Sequence, residues 1–159
     1  MTTWIYRLPC TTIFLYRITD FPENTIGFVY QIEYEDGTKY IGKKNLYSVK
    51  TLPILKNGKI RPNAERIFTI GTGERIYHDR IKKESDWQTY NGSHKLCKNK
   101  IPKEKLILAY AYNKYQLTYL EAKYLFIYEV LEKEEFINDN ILGSFYRSNR
   151  LNDNTIESN

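Results

Sequence analysis

The stretch from Gly27 to Lys43 carries the strongest local pattern in the chain. Apolar or aromatic residues alternate with polar ones over Gly27–Tyr34, the turn-forming residues 35–38 follow, and Lys39–Lys43 returns in the opposite direction. Alternation with a period of two is typical of a strand with one buried face. Two such runs joined by a short turn predict a β-hairpin.

Elements after the hairpin are predicted from turn residues and apolar periodicity. The clearest is a helix over Leu117–Lys133, where apolar residues recur at spacings of three and four. The others, in chain order, are a loop over residues 45–63, a second hairpin with strands at 67–70 and 75–77, a short polar helix at 94–100 and a strand at 105–112. This order predicts an α+β fold, in which a small three-stranded antiparallel sheet is flanked by helices.

The length of 159 residues fits one domain with added terminal segments. We predict an N-terminal arm (1–25), a core domain (26–146) with a basic insertion at about 51–83, and a flexible tail (147–159). The apolar stretch Trp4–Ile18 is interrupted by Arg7, Pro9 and Arg17, so it fits neither a signal peptide nor a membrane span. The two cysteines suggest neither zinc nor a disulfide framework. We therefore expect a cytoplasmic protein without a membrane partner.

Charge is distributed unevenly along the chain. Residues 39–105 hold 17 Lys and Arg against 6 Asp and Glu, whereas the remainder holds 7 against 13. The middle of the chain therefore has an excess of 11 positive charges, although the whole chain has a net charge of +5. Such a concentration favours a polyanionic partner, most simply nucleic acid, because Lys and Arg neutralise phosphates and release counterions. A solvated basic surface is the alternative.

Two motifs on the first hairpin resemble the pair that names the GIY-YIG endonucleases. Gly27-Phe28-Val29-Tyr30 is similar to the first motif in a degenerate form, and Tyr40-Ile41-Gly42 is similar to the second. Three later segments follow in the order that the family shows: Gly92-Ser93-His94-Lys95, the helix that contains Glu121, and Phe136-Ile137-Asn138. The resemblance covers roughly residues 26–146.

This resemblance implies an endonuclease that hydrolyses phosphodiester bonds of DNA with one divalent cation, Mg²⁺ or Mn²⁺, per active site. No small-molecule cofactor is implied. Residues 84–87 and 90–93 look more narrowly like small, stand-alone, phage-encoded members. A homing-type or host-DNA-cutting enzyme in the cytoplasm of an infected host cell is then expected.

The resemblance also implies roles for individual residues. Tyr30 serves as the base, directly or through water, Tyr40 orients the phosphate, and Glu121 holds the metal. Asn138 corresponds to the asparagine that closes the family's core, and Asn140 competes with it for that role. A tyrosine with its ordinary pKa of about 10 is a poor base at neutral pH, so Tyr30 needs nearby cations or a relay water.

A single carboxylate is chemically sufficient for the implied metal. Mg²⁺ is usually held by one or two carboxylates, with water and substrate phosphate completing its coordination. The alternative for Glu121 is a capping box with Thr118 at a helix start, or a solvated position. The residues around Glu121 on a helix are mostly apolar or aromatic, and an unpaired carboxylate there is costly. This environment favours a metal ligand.

The loop of the first hairpin decides whether both tyrosines can serve one site. With a two-residue turn, Tyr30 and Tyr40 lie on opposite faces of the sheet, because side chains alternate along a strand. A three-residue loop pairs Ile32 with Tyr40 and Tyr30 with Gly42, which places both tyrosines on one face. We predict the three-residue connection, or a bulge of the same effect, with Gly37 in the left-handed conformation.

The resemblance also implies an arginine that stabilises charge on the phosphate, and this arginine is missing from its expected place. Counting on from the second motif without gaps leads to Lys50. Either Lys50 or Lys43 replaces the arginine as a point charge, without the bidentate fork of a guanidinium, or Arg61 or Arg66 reaches back from an enlarged loop. This departure motivates the alternative of a protein that keeps the fold and has lost cleavage.

We also predict a set of DNA-binding residues outside the catalytic group. They are Lys44, Arg61, Arg66, Lys82, Lys83, His94 and Lys95. The leading hypothesis is a metal-dependent DNA endonuclease that works as a monomer or homodimer. The alternatives are a catalytically impaired module that binds DNA or protein, and a protein-directed inhibitor that uses the fold for contact only.

Overall fold

The computed structural model describes residues 1–147; the predicted tail lies almost entirely outside them. The chain forms strands and one α-helix, α1, over these residues. In chain order the elements are β1 (Trp4–Leu8), β2 (Thr11–Leu15), β3 (Gly27–Tyr34), β4 (Lys39–Asn45), β5 (Tyr47–Pro53), β6 (Ala64–Ile70), β7 (Arg75–Glu84), β8 (Pro102–Ala111), α1 (Lys114–Ile127), β9 (Asn140–Ile141) and β10 (Phe145–Tyr146). They divide into two compact units: an insert unit, Leu46–Ser85, and a main unit formed by the chain before and after it.

The main unit contains a five-stranded sheet, so the prediction of three strands is wrong. Its order is β2-β1-β8-β3-β4. The two additional strands come from the N-terminal segment, which folds into a hairpin and pairs β1 in parallel with β8. The sequence predicted this segment only as a strand or ordered arm. A pairing between Trp4 and Lys105, about a hundred residues apart, leaves no local signal.

The β3–β4 hairpin has the predicted three-residue loop. Tyr30 pairs with Gly42 and Ile32 pairs with Tyr40. Gly37 has a φ of +83°, a left-handed conformation that glycine adopts without steric cost. The Asp36 carboxylate accepts hydrogen bonds from both the backbone N–H and the hydroxyl of Thr38, which fixes the turn. Both tyrosines therefore lie on one side of the sheet.

The sheet buries side chains on both of its sides. The helix side packs β3 and β4, through Val29 and Ile41, against Leu117 and Leu125 of α1 and against apolar residues that follow the helix. The opposite, aromatic side carries Trp4, Phe21, Phe28, Tyr30, Ile32, Tyr34 and Trp87, all buried. β3 lies between β8 and β4, and side chains pack against both of its faces. Six of its eight residues are therefore buried.

The helix begins and ends earlier than the sequence predicted. It covers Lys114–Ile127 instead of Leu117–Lys133. The Asn113 side chain caps it by accepting a hydrogen bond from the backbone N–H of Gln116 at 2.7 Å. Since Thr118 and Glu121 lie inside the helix, the capping-box alternative for Glu121 is wrong. The predicted polar helix at 94–100 is reduced to a single 3₁₀ turn, Lys95–Cys97.

The segment after the helix covers part of the edge of β4. The backbone of Lys39 exchanges hydrogen bonds with Glu135 and Ile137 at 2.7 and 2.8 Å. The Arg147 guanidinium donates hydrogen bonds to carbonyl groups of the same segment, those of Val130, Lys133, Phe136 and Asn138. The Arg147 guanidinium therefore fixes the irregular segment 130–138, which lies beside β4.

The insert unit is a three-stranded antiparallel sheet in the order β5-β7-β6. Its β6–β7 hairpin turns at Gly71-Thr72-Gly73, as predicted. The predicted loop over residues 45–63 is wrong in its first half, because residues 47–53 form β5. The alternation in Tyr47–Pro53 is weak, and β5 exists because it pairs with β7 along its whole length.

Candidate active site

The two motif tyrosines meet on the aromatic side of the sheet, with ring centroids 6.2 Å apart. Tyr30 is fully buried, and its hydroxyl has no hydrogen-bond partner within the described residues. The Tyr40 hydroxyl shares a 2.6 Å hydrogen bond with the Ser93 hydroxyl. The β3–β4 register therefore brings together two phenols and a serine from a distant part of the chain.

Gly42 makes this close approach possible. A Cβ atom at this position would lie 2.7 Å from the Tyr30 hydroxyl oxygen and 3.0 Å from the Tyr40 ring. Both distances are shorter than ordinary contacts between carbon and its neighbours. The glycine of the second motif is thus required by packing against both tyrosines.

Both tyrosines are held in their protonated form. Burial raises the pKa of Tyr30 well above its ordinary value of 10, and the neighbouring Tyr90 and Tyr40 raise it further. Burial also raises the pKa of Tyr40 to about 12, with smaller contributions from Tyr90 and from the negative charge of Glu121. At neutral pH, both phenols are therefore hydrogen-bonding groups that retain their protons.

Glu121 forms an ion pair on the other side of β4. Its Oε2 atom lies 2.9 Å from Nζ of Lys43, and the same ammonium donates a 3.0 Å hydrogen bond to the Thr118 hydroxyl. Thr118 and Glu121 are three positions apart on α1, so they project from the same face of the helix. The Glu121 carboxylate and the Thr118 hydroxyl thus both hold the Lys43 ammonium.

The tyrosines and Glu121 lie on opposite sides of an edge strand. Lys43 pairs with Val29 and faces α1, whereas Tyr40 pairs with Ile32 and faces the aromatic side. Because β4 ends the sheet, groups from both sides can approach one another around its edge.

Asn138 is buried and engaged with β4. Its side-chain oxygen accepts a hydrogen bond from the backbone N–H of Ile41 at 3.1 Å, and its amide nitrogen donates to the Ile41 carbonyl at 2.7 Å. The carboxamide therefore pairs with both polar groups of the middle residue of the second motif. This geometry positions the strand and leaves neither amide atom directed at a substrate.

His94 and Lys95 differ in their exposure and in the hydrogen bonds of their side chains. Nδ1 of His94 accepts a hydrogen bond from the backbone N–H of Leu96, which makes Nε2 the protonated nitrogen, 3.2 Å from the Asp139 carboxylate. Both ring nitrogens are therefore occupied, and His94 links the backbone at Leu96 to Asp139 of the C-terminal segment. Its hydrogen bond lowers the pKa of Asp139. Lys95 is exposed.

Lys44 is also engaged within the main unit. Its ammonium forms an ion pair with Asp86, which lowers the pKa of that carboxyl, and it lies 3.9 Å from the centroid of the Tyr90 ring. Tyr90 in turn contacts Tyr30 edge-on, with ring centroids 5.8 Å apart. Lys44 therefore packs against the ring that contacts Tyr30.

The other predicted cations belong to the insert unit. Arg61 and Arg66 approach the buried Asp79 carboxylate at 3.6 and 2.7 Å. Lys82 stacks its ammonium over the Tyr47 ring at 4.0 Å. Lys50 and Lys83 are exposed on β5 and β7. The structure thus groups these five residues in a unit separate from the tyrosines.

Two residues at the tyrosine side were not predicted. Ser93 was noted only as part of a motif, although its hydroxyl next to Gly92 was a usable signal. Lys105 was included in an apolar strand, yet it is a fully buried lysine paired with Trp4 and Ile32. Its ammonium lies 5.1 Å from the centroid of the Trp4 ring, and burial lowers its pKa to about 8. Because Lys105 follows Lys103 and Glu104 at the start of the apolar run, no local signal marked it as buried.

The described residues allow a simple metal site and no larger one. Within residues 1–147, no cluster of three or more His, Cys, Asp or Glu side chains is arranged to hold a metal ion. A single carboxylate still fits Mg²⁺, which keeps several waters and takes oxygen ligands from its substrate. In this structure the oxygens of Glu121 and Thr118 contact the Lys43 ammonium.

A hairpin that brings two tyrosines to one side, followed by a helix that carries a carboxylate, belongs here to an α+β domain. The chain belongs to the GIY-YIG endonuclease family: residues 11–141 match the family model described as "Putative endonuclease segE, GIY-YIG domain". No curated protein and no solved structure matches the chain significantly. No helix within residues 1–147 is long and apolar enough to cross a membrane.

Proposed function

We propose that this protein is a divalent-metal-dependent endodeoxyribonuclease whose catalytic group is Tyr30, Tyr40, Lys43 and Glu121. The observation that carries the proposal is the Lys43 ammonium held by Glu121 and Thr118 at the edge of the strand that also presents Tyr40. A nuclease domain implies DNA as substrate, and the positive excess of residues 39–105 supports a polyanionic substrate.

Glu121 would hold Mg²⁺ or Mn²⁺, with water and a phosphate oxygen completing the coordination. Such a cation supplies a Lewis acid that stabilises charge on the phosphate and its leaving oxygen. Lys43 then has a second partner available, because a phosphate oxygen can accept the hydrogen bond that Glu121 accepts in the free protein. In this role, Lys43 supplies the positive charge that an arginine provides in the family.

The tyrosines act as donors that position reacting groups. Since both phenols keep their protons at neutral pH, they bind water and phosphate oxygens by hydrogen bonds, and neither removes a proton directly. The Tyr30 hydroxyl, which has no hydrogen-bond partner among the residues that the structure describes, supplies a hydrogen-bonding position for a water molecule. Ser93 keeps the Tyr40 hydroxyl in place. Asn138 supports the backbone of the second motif and has a positioning role.

A plasmid-nicking assay in Mg²⁺ or Mn²⁺ tests this proposal. We expect the wild type to cut and Glu121→Gln to lose at least about a hundredfold in rate, because removal of one oriented electrostatic group typically has such an effect. Glu134→Gln removes a carboxylate at an exposed position and serves as the matched control. Cutting that survives chelation, or a Glu121→Gln variant as fast as wild type, would contradict the proposal.

Metal binding is measured separately from cutting. We expect Mn²⁺ binding, followed by electron paramagnetic resonance of the free ion, to weaken in Glu121→Gln and to persist in Tyr40→Phe. Lys43→Ala should lose cleavage, and Lys43→Arg should recover part of it if the residue replaces the family arginine. DNA binding without metal-dependent cutting on any substrate form would instead indicate a catalytically impaired binding module.

The biological setting is proposed on the family resemblance alone. We propose a phage-encoded enzyme of the homing type, or one that cuts host DNA, which acts in the cytoplasm of an infected cell. As one catalytic site cuts one strand, double-strand cleavage would need either a homodimer or two successive nicks. Mapping of cleavage ends on a defined duplex, together with the mass of the complex in solution, distinguishes these routes.

A further inference from the structure

The insert unit exposes two different sheet faces, which the strand register assigns. Paired residues in neighbouring strands project to the same face, and residues alternate along each strand. Lys50 pairs with Ile81, Arg66 with Asp79 and Ile70 with Arg75. The face that these pairs share is called the basic face below. The opposite face, called the neutral face, contains Val49, Glu65, Ile76, Arg80, Lys82 and Glu84.

The two faces differ in charge. On the strands, the basic face carries four cations and one carboxylate: Lys50, Arg66, Arg75, Lys83 and Asp79. The neutral face carries two cations and two carboxylates: Arg80, Lys82, Glu65 and Glu84. Arg80 also forms an ion pair with Glu65 at 2.6 Å. A polyanion would therefore be attracted to one face and not to the other.

The loop between β5 and β6 adds to the basic face. Arg61 of this loop approaches Asp79, and Arg66 donates hydrogen bonds to the loop carbonyls of Gly58 and Lys59 at 3.3–3.5 Å. The Arg61 guanidinium also donates to the Pro53 carbonyl at 2.9 Å. These contacts hold the loop, with its exposed Lys56 and Lys59, on the Asp79 side of the sheet.

Exposed aromatic rings lie on the same face, near the tip of the β6–β7 hairpin. Phe68 and Tyr77 are a register pair with ring centroids 5.9 Å apart, and they are 49% and 42% exposed. The Arg75 guanidinium lies 4.6 Å from the Phe68 ring centroid. Rings interleaved with cations can contact sugars and base edges while the cations bind phosphates.

We propose that the basic face of the insert unit binds the backbone of duplex DNA through Lys50, Arg75, Lys83 and the β5–β6 loop, whereas the neutral face makes no DNA contact. The inference rests on the proposed DNA substrate. The eight positions from Arg75 to Lys83 span about 26 Å at ~3.3 Å per residue, long enough to reach phosphates on both sides of a groove about 12 Å wide. The aromatic pair at the hairpin tip would lie against the groove.

This proposal separates residues that the sequence grouped together. Lys83 lies on the basic face and Lys82 on the neutral face, where its ammonium is stacked over Tyr47. Arg61 and Arg66 share one carboxylate, so their main contribution is to hold the loop and the strand together. The face of a residue, rather than its presence in a basic segment, then decides whether it binds DNA.

The matched pair Arg75→Ala and Arg80→Ala tests the proposal on the full chain. Both arginines are exposed and lie on β7, but on opposite faces. Binding of a fluorescent 30-base-pair duplex would be titrated at several KCl concentrations without divalent cations. We expect Arg75→Ala to lower the slope of log affinity against log salt by about 0.9, and Arg80→Ala to leave both slope and affinity unchanged.

A triple variant enlarges the effect. Lys50→Ala, Arg75→Ala and Lys83→Ala together should lower the salt slope by about 2.7. Thermal unfolding of each variant checks that the fold is intact, and all three positions are exposed. Equal losses in Arg75→Ala and Arg80→Ala, or an unchanged triple variant, would overturn the proposal.

The two proposals can fail separately. If the wild type binds DNA through the basic face but does not cut it, the nuclease proposal fails and the DNA-binding face stands. If the wild type cuts DNA in a Glu121-dependent manner while the triple variant binds as tightly as wild type, the assignment of the face fails alone. A wild type without salt-dependent DNA binding overturns this inference.

Discussion

The main unit and the insert unit are stabilised by different means. The five-stranded sheet of the main unit buries apolar and aromatic side chains on both sides. Along β5, β6 and β7, by contrast, Asp79 is the one fully buried side chain, and it is held by two arginines. Apolar packing therefore defines the unit that carries the tyrosines, whereas a buried ion-pair cluster organises the unit with the basic face. Local changes should affect the two units independently.

The largest expected effect is on the insert unit. Asp79→Ala removes the carboxylate that pairs with Arg61 and Arg66, and uncompensated guanidinium groups in a partly buried site are strongly destabilising. We expect amide protection in β5, β6 and β7 to fall by at least about tenfold, while protection in β3 and β8 is retained. Hydrogen exchange with mass spectrometry measures both units in one experiment.

Arg80→Ala, which breaks an exposed pair on the same strand, is the control for this prediction. The pKa of Asp79 is lowered, chiefly by the Arg66 hydrogen bond, so its contribution to stability is present above the ordinary pKa of an aspartate. It is lost as the pH falls through the lowered value. Parallel loss of protection in both units of Asp79→Ala would contradict independent stabilisation.

An intermediate effect is expected at Lys105 in the main unit. Burial lowers its pKa to about 8, and within residues 1–147 no ion pair to Lys105 is found; the titratable residues of β3 on this side, Tyr30 and Tyr34, stay neutral. Lys105→Met should therefore raise the free energy of unfolding at pH 7 by roughly 1–3 kcal/mol, because a charged group is no longer buried. Chemical denaturation measures the gain, and Lys103→Met at an exposed position is the control.

The advantage of Lys105→Met should depend on pH. Between pH 8 and about 10.5, the unfolded wild type binds more protons than the folded one, so wild-type stability rises with pH in this window. The difference between variant and wild type is thus greatest below pH 8 and shrinks toward pH 10.5. A pH-independent difference would show that packing, and not the charge, is responsible.

The smallest expected effect on stability is at Tyr30. Its hydroxyl is buried and has no hydrogen-bond partner among residues 1–147, so Tyr30→Phe should leave stability unchanged or raise it by about 1 kcal/mol. Cleavage should nevertheless decrease, because the proposed hydrogen bond to water is lost. Tyr34→Phe, which removes a hydroxyl bonded to the Asn91 carbonyl at 2.7 Å, is expected to destabilise the protein instead. Thermal unfolding and nicking assays compare the two.

Local patterns predicted the elements that depend on neighbouring residues. The three-residue loop at Gly37 and the shared side of Tyr30 and Tyr40 followed from strand alternation together with the requirement of the family resemblance that both tyrosines serve one site. The β6–β7 turn followed from its glycines. The N-terminal strands and β5 were missed or described vaguely, since they form through pairing with distant strands.

The candidate site was predictable in its residue types and not in its contacts. Tyr30 and Tyr40 were selected from the paired motifs and Glu121 from the helix that resembles the family's; the structure places the two tyrosines together and pairs Glu121 with Lys43. The pairing of Lys43 with Glu121 depends on how α1 packs on the sheet, which no local pattern encodes. The capture of Asn138 by the backbone of Ile41 is likewise a product of tertiary packing.

The contacts of Arg147 have a consequence for protein synthesis. The strand with the second motif is completed at its edge by Glu135–Asn138, and that segment is held in turn by the Arg147 guanidinium. More than a hundred residues are translated between Tyr40 and Arg147. The strand that carries Tyr40 therefore lacks its complete edge support throughout translation of the intervening chain, and a nascent polypeptide should complete this strand only after Arg147 has left the ribosome.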